Sequence, residues 1–429
     1  MPALALRGYH CPSMCSRCEC NGRSSSVRWH AYGLTLSLIA CSAAPRTIPP
    51  SSPAAHVVAA APAAGPGVAP LRVPTTIVTP DVSVDVVELF QAGQTGLRQG
   101  DYAAAAQAFD RIASHETEGL ILERALFQGA LAHEALGDLE GAAARFEELA
   151  RRFPEAPLSA EALLRSLRVR LHQEAWAAAA QTGRVYLQRY PDAPPGGQIL
   201  AYAARGLEML ANERQAEGEY FIAKGMEIVD RLELDRAGRI PRDLAQLYFA
   251  LGEARRRRAE HARLSPDVQE FSARLEERCQ LLLAAQSAYS DTMRAYDAHW
   301  STMAGYRVGE LYERLHEELM QIPPPRAGSD RERLLFEGAM RLRYSVLLDK
   351  ASSMLEHTLA MAQRTGESSE WVRRTEQSRG QLARARAEQQ SALDRLPFSR
   401  AELQQALDDL EARSNSPARK AKGRPPGHK

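Results

Sequence analysis

Arg152-Phe153-Pro154-Glu155-Ala156-Pro157 returns 37 residues later as Arg189-Tyr190-Pro191-Asp192-Ala193-Pro194. A spaced echo of this kind marks a copied supersecondary unit, and copied units stack into solenoids. The echo extends outward. Gly100-Asp101-Tyr102, Gly137-Asp138-Leu139 and Glu174-Ala175-Trp176 are also 37 residues apart, each a turn followed by an apolar residue and an alanine-rich run. The runs are Ala103 to Ala106, Ala142 to Ala144 and Ala177 to Ala180, with Phe109 and Phe146 at one shared offset. Alanine favours helix and lets helices approach closely. The prolines stop each second helix, because the residue before proline avoids helical torsions and proline has no N–H. Each unit therefore reads as helix, short turn, helix, proline stop.

These residues resemble the tetratricopeptide repeat (TPR), whose period is about 34 residues. Gly93, Tyr102, Ala105 and Phe109 match its pattern in the first unit; Ala130, Gly137, Leu139, Ala142, Phe146 and Pro154 match in the second. In the third, Trp176, Ala179 and Pro191 match, but Gly183 stands where the aromatic belongs; a fourth unit around Tyr202, Gly206 and Leu210 is degenerate. The resemblance covers residues 83–232 and implies an all-α, TPR-type helical-hairpin solenoid. The longer period predicts longer loops after the prolines. In the family the first helix of each unit lines a concave binding face. Counting back from each turn puts Phe90, Gln94 and Arg98 there in unit one, Arg124, Phe127, Leu131 and Glu134 in unit two, and Arg168 and His172 in unit three. Phe127 with Leu131 would be the apolar anchor, and the arginines would take carboxylates or carbonyls of a partner protein. Ordinary helix–helix core is the alternative role for these positions.

A second signal lies near the N-terminus. Residues 31–40 form a mostly apolar stretch, too short to span a bilayer but suited to the apolar core of a signal peptide. It ends Leu38-Ile39-Ala40-Cys41, which resembles the bacterial lipobox; the resemblance implies cleavage before Cys41 and acylation of its thiol and new N-terminus. Several acyl chains anchor firmly where one holds marginally. Ser42, in place of an aspartate, favours the outer membrane. Residues 1–26 make an overlong leader. With Val27 as the initiating residue, Val27-Arg28-Trp29-His30 would be a compact basic region. Cys11, Cys15, Cys18 and Cys20 have superficially zinc-like spacing but lie upstream of the cleavage site, so no metal is expected. Cys279 would then be the lone cysteine past Cys41, read as a small buried apolar residue. Residues 42–82, rich in proline, alanine and valine, read as a disordered tether reaching roughly 120 Å when extended.

Residues 233–413 read as a helical C-terminal region with longer helices and divergent repeats. Pro241 marks a helix start, and Leu244, Leu247, Tyr248 and Leu251 form a stripe that leads to Arg255–Arg258. A helix is expected over about 266–297, and Ala304 to Tyr312 reads as a further repeat helix. This half resembles TPR lipoproteins of delta-class bacteria, some serving envelope machinery such as gliding motility. The repeats resemble equally the outer-membrane assembly lipoprotein, the Tol–Pal accessory protein and secretin pilotins. The basic, proline-containing tail 414–429 cannot pack a core and reads as disordered.

The 54 Lys and Arg against 53 Asp and Glu leave no field that would imply nucleic acid. No Walker loop, dinucleotide fingerprint or nucleophile elbow occurs, and the histidines are scattered, so neither catalysis nor a cofactor is expected. The reading is a non-catalytic, lipid-anchored adaptor on the periplasmic side of the outer membrane. A peptidoglycan or anionic-glycan binder using Arg255–Arg258 and the tail is the alternative.

Overall fold

A computed structural model describes residues 84–115, 119–236, 240–264, 268–324 and 329–415. The lipobox with Cys41, the four upstream cysteines, the tether 42–82 and the tail past Asn415 lie outside the described residues. Among those described, the chain is all helical and runs as antiparallel pairs: α1 (Val84–Gln99) with α2 (Tyr102–Ser114), α3 (Leu120–Leu136) with α4 (Leu139–Arg152), α5 (Ser159–His172) with α6 (Trp176–Arg189), and α7 (Pro195–Ala211) with α8 (Gln215–Leu232). A 3₁₀ turn, Arg242–Leu244, leads into α9 (Ala245–His261), which pairs with α10 (Val268–Arg294). Then come α11 (Ala298–Met320) with α12 (Asp330–Thr365), and finally α13 (Glu370–Asp394) and α14 (Arg400–Asn415), both resting on α12.

The turn inside each hairpin explains the period. Gly100 and Gly137 take left-handed torsions (φ +77° and +78°), and the same place in units three and four is held by Glu174 and Glu213 (φ +57° and +60°). The next residue starts the second helix in all four cases, with nearly one geometry: Asp101 (φ −82°, ψ 73°), Asp138 (−80°, 76°), Ala175 (−77°, 63°) and Arg214 (−89°, 67°). Asp101 and Asp138 accept the backbone N–H of Ala104 and Gly141, each at 3.0 Å; Ala175 and Arg214 make no such side-chain cap. The motif fades while the turn persists, so the degenerate fourth unit is a complete hairpin.

The proline echo is equally structural. Phe153 and Tyr190 leave their helices at φ −125° with ψ 63° and 66°, where the following proline drives them. The two copies also touch: the Tyr190 hydroxyl donates to Pro154 O at 3.2 Å, and Arg189 donates to Ala150 O at 2.7 Å.

Packing follows the small-against-large pattern. A Cβ on Gly93 would sit 2.6 Å from the buried Phe109 ring, and one on Gly206 2.6 Å from Ile222, which holds the Phe109 position in unit four. Where unit three lacks the aromatic, Gly183 lets α6 close onto the α7 backbone at Ala201, and Tyr186, one turn on, fills the space. Gly305 and Gly309 bring α11 equally close to Thr358 and Leu355 of α12, so the predicted repeat helix at 304–312 lies within a tightly closed hairpin. One apolar core runs from Ala150 to Trp371, passing through the α8–α9 junction.

Candidate functional site

The first helices α1, α3 and α5 each keep one half-exposed stripe at helical spacing. It carries Gln94 and Arg98 on α1, Arg124, Gln128 and Leu131 on α3, and Glu161, Arg165, Arg168 and His172 on α5. Most of the sequence-chosen positions fall on it. Phe90 and Phe127 do not: both are buried, edge-on to Phe109 and Phe146 of their own hairpins at ring separations of 5.7 and 5.6 Å. The expected apolar anchor at Phe127 is thus a core ring, and Leu131 is the apolar group nearer the surface.

The stripe is polar and unevenly engaged. Among the described residues Arg98 reaches only its own helix, donating to Thr95 Oγ1 at 3.2 Å. On α3, the Arg124 Nε and, one turn on, the Gln128 Oε1 are shielded from solvent with no hydrogen-bond partner. Beside them Arg165 spans Glu161 (2.9 Å) and Glu134 (3.4 Å), its guanidinium 6.0 Å from the Phe127 ring centre. Gln128 and Arg165 are additions that sequence reading missed; each lies one turn from a chosen arginine.

At unit three the C-terminal half closes the face. Arg168 pairs with Asp243 of the 3₁₀ turn at 3.4 Å. The His172 ring lies 3.9 Å from that of His299 on α11, and burial together with this neighbour lowers the His172 pKa. His299 faces Glu367 at 3.6 Å, and the Trp371 indole donates to Glu174 at 2.7 Å, fixing the start of α13 to the unit-three turn.

Behind this closure lies a buried charge cluster. Glu253 on α9 accepts from Arg256 at 2.8 Å and from the Tyr289 hydroxyl at 2.7 Å, and lies 2.9 Å from Arg307 Nε. Burial alone would raise its carboxyl pKa; Arg307 and Arg256 outweigh that and hold it at about 2. This corrects the reading of Arg255–Arg258 as one free basic patch. Arg255 donates to Ala284 O at 2.9 Å, Arg256 is buried with Glu253 and Glu260, and Arg258 pairs with Glu219. Among the described residues Arg257 has no ion pair, and it lines a small polar pocket beside Arg307.

Cys279 is buried, as expected. Among the described residues, no group of three or more His, Cys, Asp or Glu could hold a metal ion, and no helix is long and apolar enough to cross a membrane.

No protein-family model matches the chain, and no curated protein does. Among solved structures, a MamA RS-1 ArsTM double mutant is similar at 16% identity and TM-score 0.32, over 49% of this chain and 98% of its own. A tetratricopeptide repeat protein from Parabacteroides merdae is similar at 11% identity and TM-score 0.33, over 77% of this chain and 100% of its own. The repeat architecture stands on the chain's own geometry: one left-handed turn used four times, small-against-large hairpin packing and a proline exit that recurs. The described chain is an all-α, TPR-type helical-hairpin solenoid extended by longer C-terminal helices.

Proposed function

We propose that this protein is a non-catalytic adaptor that holds a segment of a partner protein along the first-helix face of α1 and α3, while acylated Cys41 anchors it to the outer membrane on the periplasmic side. The observation that carries the binding reading is the pair Arg124 and Gln128. The Arg124 Nε and the Gln128 Oε1, one turn apart on half-exposed side chains, are shielded and unpartnered, which is costly unless a rearrangement on binding supplies their hydrogen bonds. A partner's backbone carbonyls, carboxylates and amides would do so. The closure of the face by Asp243, His299 and Trp371 confines that segment to the α1–α3 end. The Leu38–Cys41 lipobox and the proline-rich stretch behind it support the anchor.

A photo-crosslinking residue at Gln94 should capture an envelope protein in cells. Arg124→Glu with Gln128→Glu should abolish the capture and leave the melting temperature within a degree or two, since neither side chain has a partner to lose. Capture that survives the double change would remove the face from the reading. Radiolabelled palmitate should enter the wild type and not Cys41→Ala; an unlabelled wild type would remove the anchor.

A further inference from the structure

An acid recurs where one repeat unit meets the next. Ten residues past the left-handed Gly100 and Gly137 stand Asp110 of α2 and Glu147 of α4. Asp110 faces His133 Nε2 at 3.1 Å and accepts from Arg145 at 2.8 Å; Glu147 accepts from Arg170 at 3.0 Å and from Ser166 at 2.7 Å. His133 and Arg170 each lie four residues before the next turn, at Gly137 and Glu174. Each acid thus clasps its own unit to donors of the following one.

Between units three and four the sign is reversed. Ten residues past Glu174 stands Arg184 of α6, and four before Glu213 stands the buried Met209 of α7. The place of Ser166, eight residues before the turn, is taken by Arg205. One guanidinium replaces the acid and a second replaces its donor. The helices close tightly here, since a Cβ on Gly183 would meet the Ala201 carbonyl oxygen at 3.1 Å. Arg184 donates to Gln181 at 2.6 Å, and among the described residues Arg205 has neither an ion pair nor a hydrogen bond. Its guanidinium lies 3.7 Å from the Phe221 ring centre on α8. Burial, and then the Arg184 charge, lower the Arg205 pKa; Glu208 opposes them with a weaker effect. Beside this pair the Tyr220 ring is 58% exposed, 5.3 Å from Phe221, and 5.8 Å from Lys224 Nζ, which Glu227 holds at 2.9 Å.

Two guanidiniums at a junction built elsewhere around a carboxylate lack an acceptor and repel each other, and an oxyanion between them removes both costs. A phosphate monoester suits two cations better than a carboxylate does, with three acceptor oxygens and a charge of about −1.5 to −2. We propose that the junction of α6, α7 and α8 is a binding site for a phosphate monoester, its phosphoryl group between Arg184 and Arg205 and its organic body against the exposed Tyr220 ring.

The test is calorimetric titration of the full chain at low salt with glucose 1-phosphate, inorganic phosphate and glucose. The expected result is saturable binding of one glucose 1-phosphate per chain, at least about tenfold tighter than inorganic phosphate, with glucose silent. Arg184→Glu restores the acid of the earlier junctions beside Arg205, so it should abolish binding without lowering the melting temperature. Tyr220→Ala, at an exposed position, should weaken glucose 1-phosphate at least about tenfold and leave inorganic phosphate unchanged. The proposal is overturned by absence of saturable binding, by equal affinity for glucose 1-phosphate and inorganic phosphate, which would mark an adventitious ion only, or by an Arg184→Glu chain that binds as the wild type does. A lowered melting temperature in Arg184→Glu also overturns it, because Arg184 would then be held by the fold itself.

Discussion

Replacing Glu253 by glutamine tests how the C-terminal half is held together. The carboxylate sits where α9, α10 and α11 meet, bound by Arg256, Arg307 and Tyr289. Its carboxyl is held at about 2 against an ordinary 4.5. At about 1.4 kcal/mol per tenfold change in the ionisation constant, the folded state favours the charged form by about 3 kcal/mol. That agrees with the loss of about 3–5 kcal/mol seen when one partner of a buried pair is removed. Because the folded pKa is depressed, this stability is fully present above about pH 4.5 and fades as the pH falls toward 2. Near pH 3, about 1 kcal/mol should remain. Urea unfolding of the wild type and Glu253→Gln should therefore differ by about 3 kcal/mol at neutral pH and by about 1 kcal/mol near pH 3. A difference below about 1 kcal/mol at neutral pH, or one that does not shrink on acidification, would refute the claim that the two arginines outweigh the burial penalty.

Three other perturbations read separate parts of the fold. Gly93→Ala places a Cβ 2.6 Å from the Phe109 ring and should cost about 1–3 kcal/mol, seen as a lowered melting temperature. Glu213→Gly relieves a left-handed non-glycine residue (φ +60°) and should stabilise by about 0.5 kcal/mol after the extra freedom of the unfolded chain is subtracted; destabilisation would mean that the Glu213 side chain has a role of its own. Burial pushes the Cys279 thiol from 9.0 to about 11, so at pH 8 its alkylation by iodoacetamide, followed by peptide mass spectrometry, should be about a hundredfold slower in the native chain than after unfolding.

The repeat was legible because its turns are local. Gly-Asp encodes a left-handed residue and a cap within two positions, and the aromatic-proline step encodes the exit. The fourth unit was obscure because backbone geometry can outlast the residues that favour it: Glu213-Arg214 makes the same turn as Gly137-Asp138. The half-exposed first-helix stripe was half legible. Counting back from a turn finds the right helix, but each residue rotates by about 100°, so choosing Phe127 rather than Gln128 moves from face to core. The same rotation separates Arg255 to Arg258, four consecutive residues that cannot share one helix face: Arg255, Arg256 and Arg258 meet different partners and Arg257 lines a polar pocket. The contacts that close the face at unit three join residues more than a hundred positions apart, His172 to His299 and Glu174 to Trp371, and no local pattern encodes them.

That closure explains why the motif fades at unit three. A glycine at position 174 would adopt the left-handed turn without strain, as Gly100 and Gly137 do; a glutamate there costs about 1–2 kcal/mol. In exchange the carboxylate accepts the Trp371 indole N–H at 2.7 Å, a hydrogen bond to a charged group worth about 1.5–3 kcal/mol. Trp371 is itself buried against Tyr306, with the Arg307 and Arg374 guanidiniums near its ring. The chain has exchanged a relaxed local turn for a long-range tether, and the balance is neutral or favourable. The consequence is directional. Where the turn stays glycine, at α1–α2 and α3–α4, no hydrogen bond or ion pair among the described residues ties it to the C-terminal half, and the first-helix stripe stays half-exposed. At unit three, where the position holds Glu174, α13 is fastened to it through Trp371 and the C-terminal half meets the face at Arg168 and His172. In the proposed adaptor role, a partner segment would meet Gln94, Arg98, Arg124 and Gln128 and would stop at Arg168.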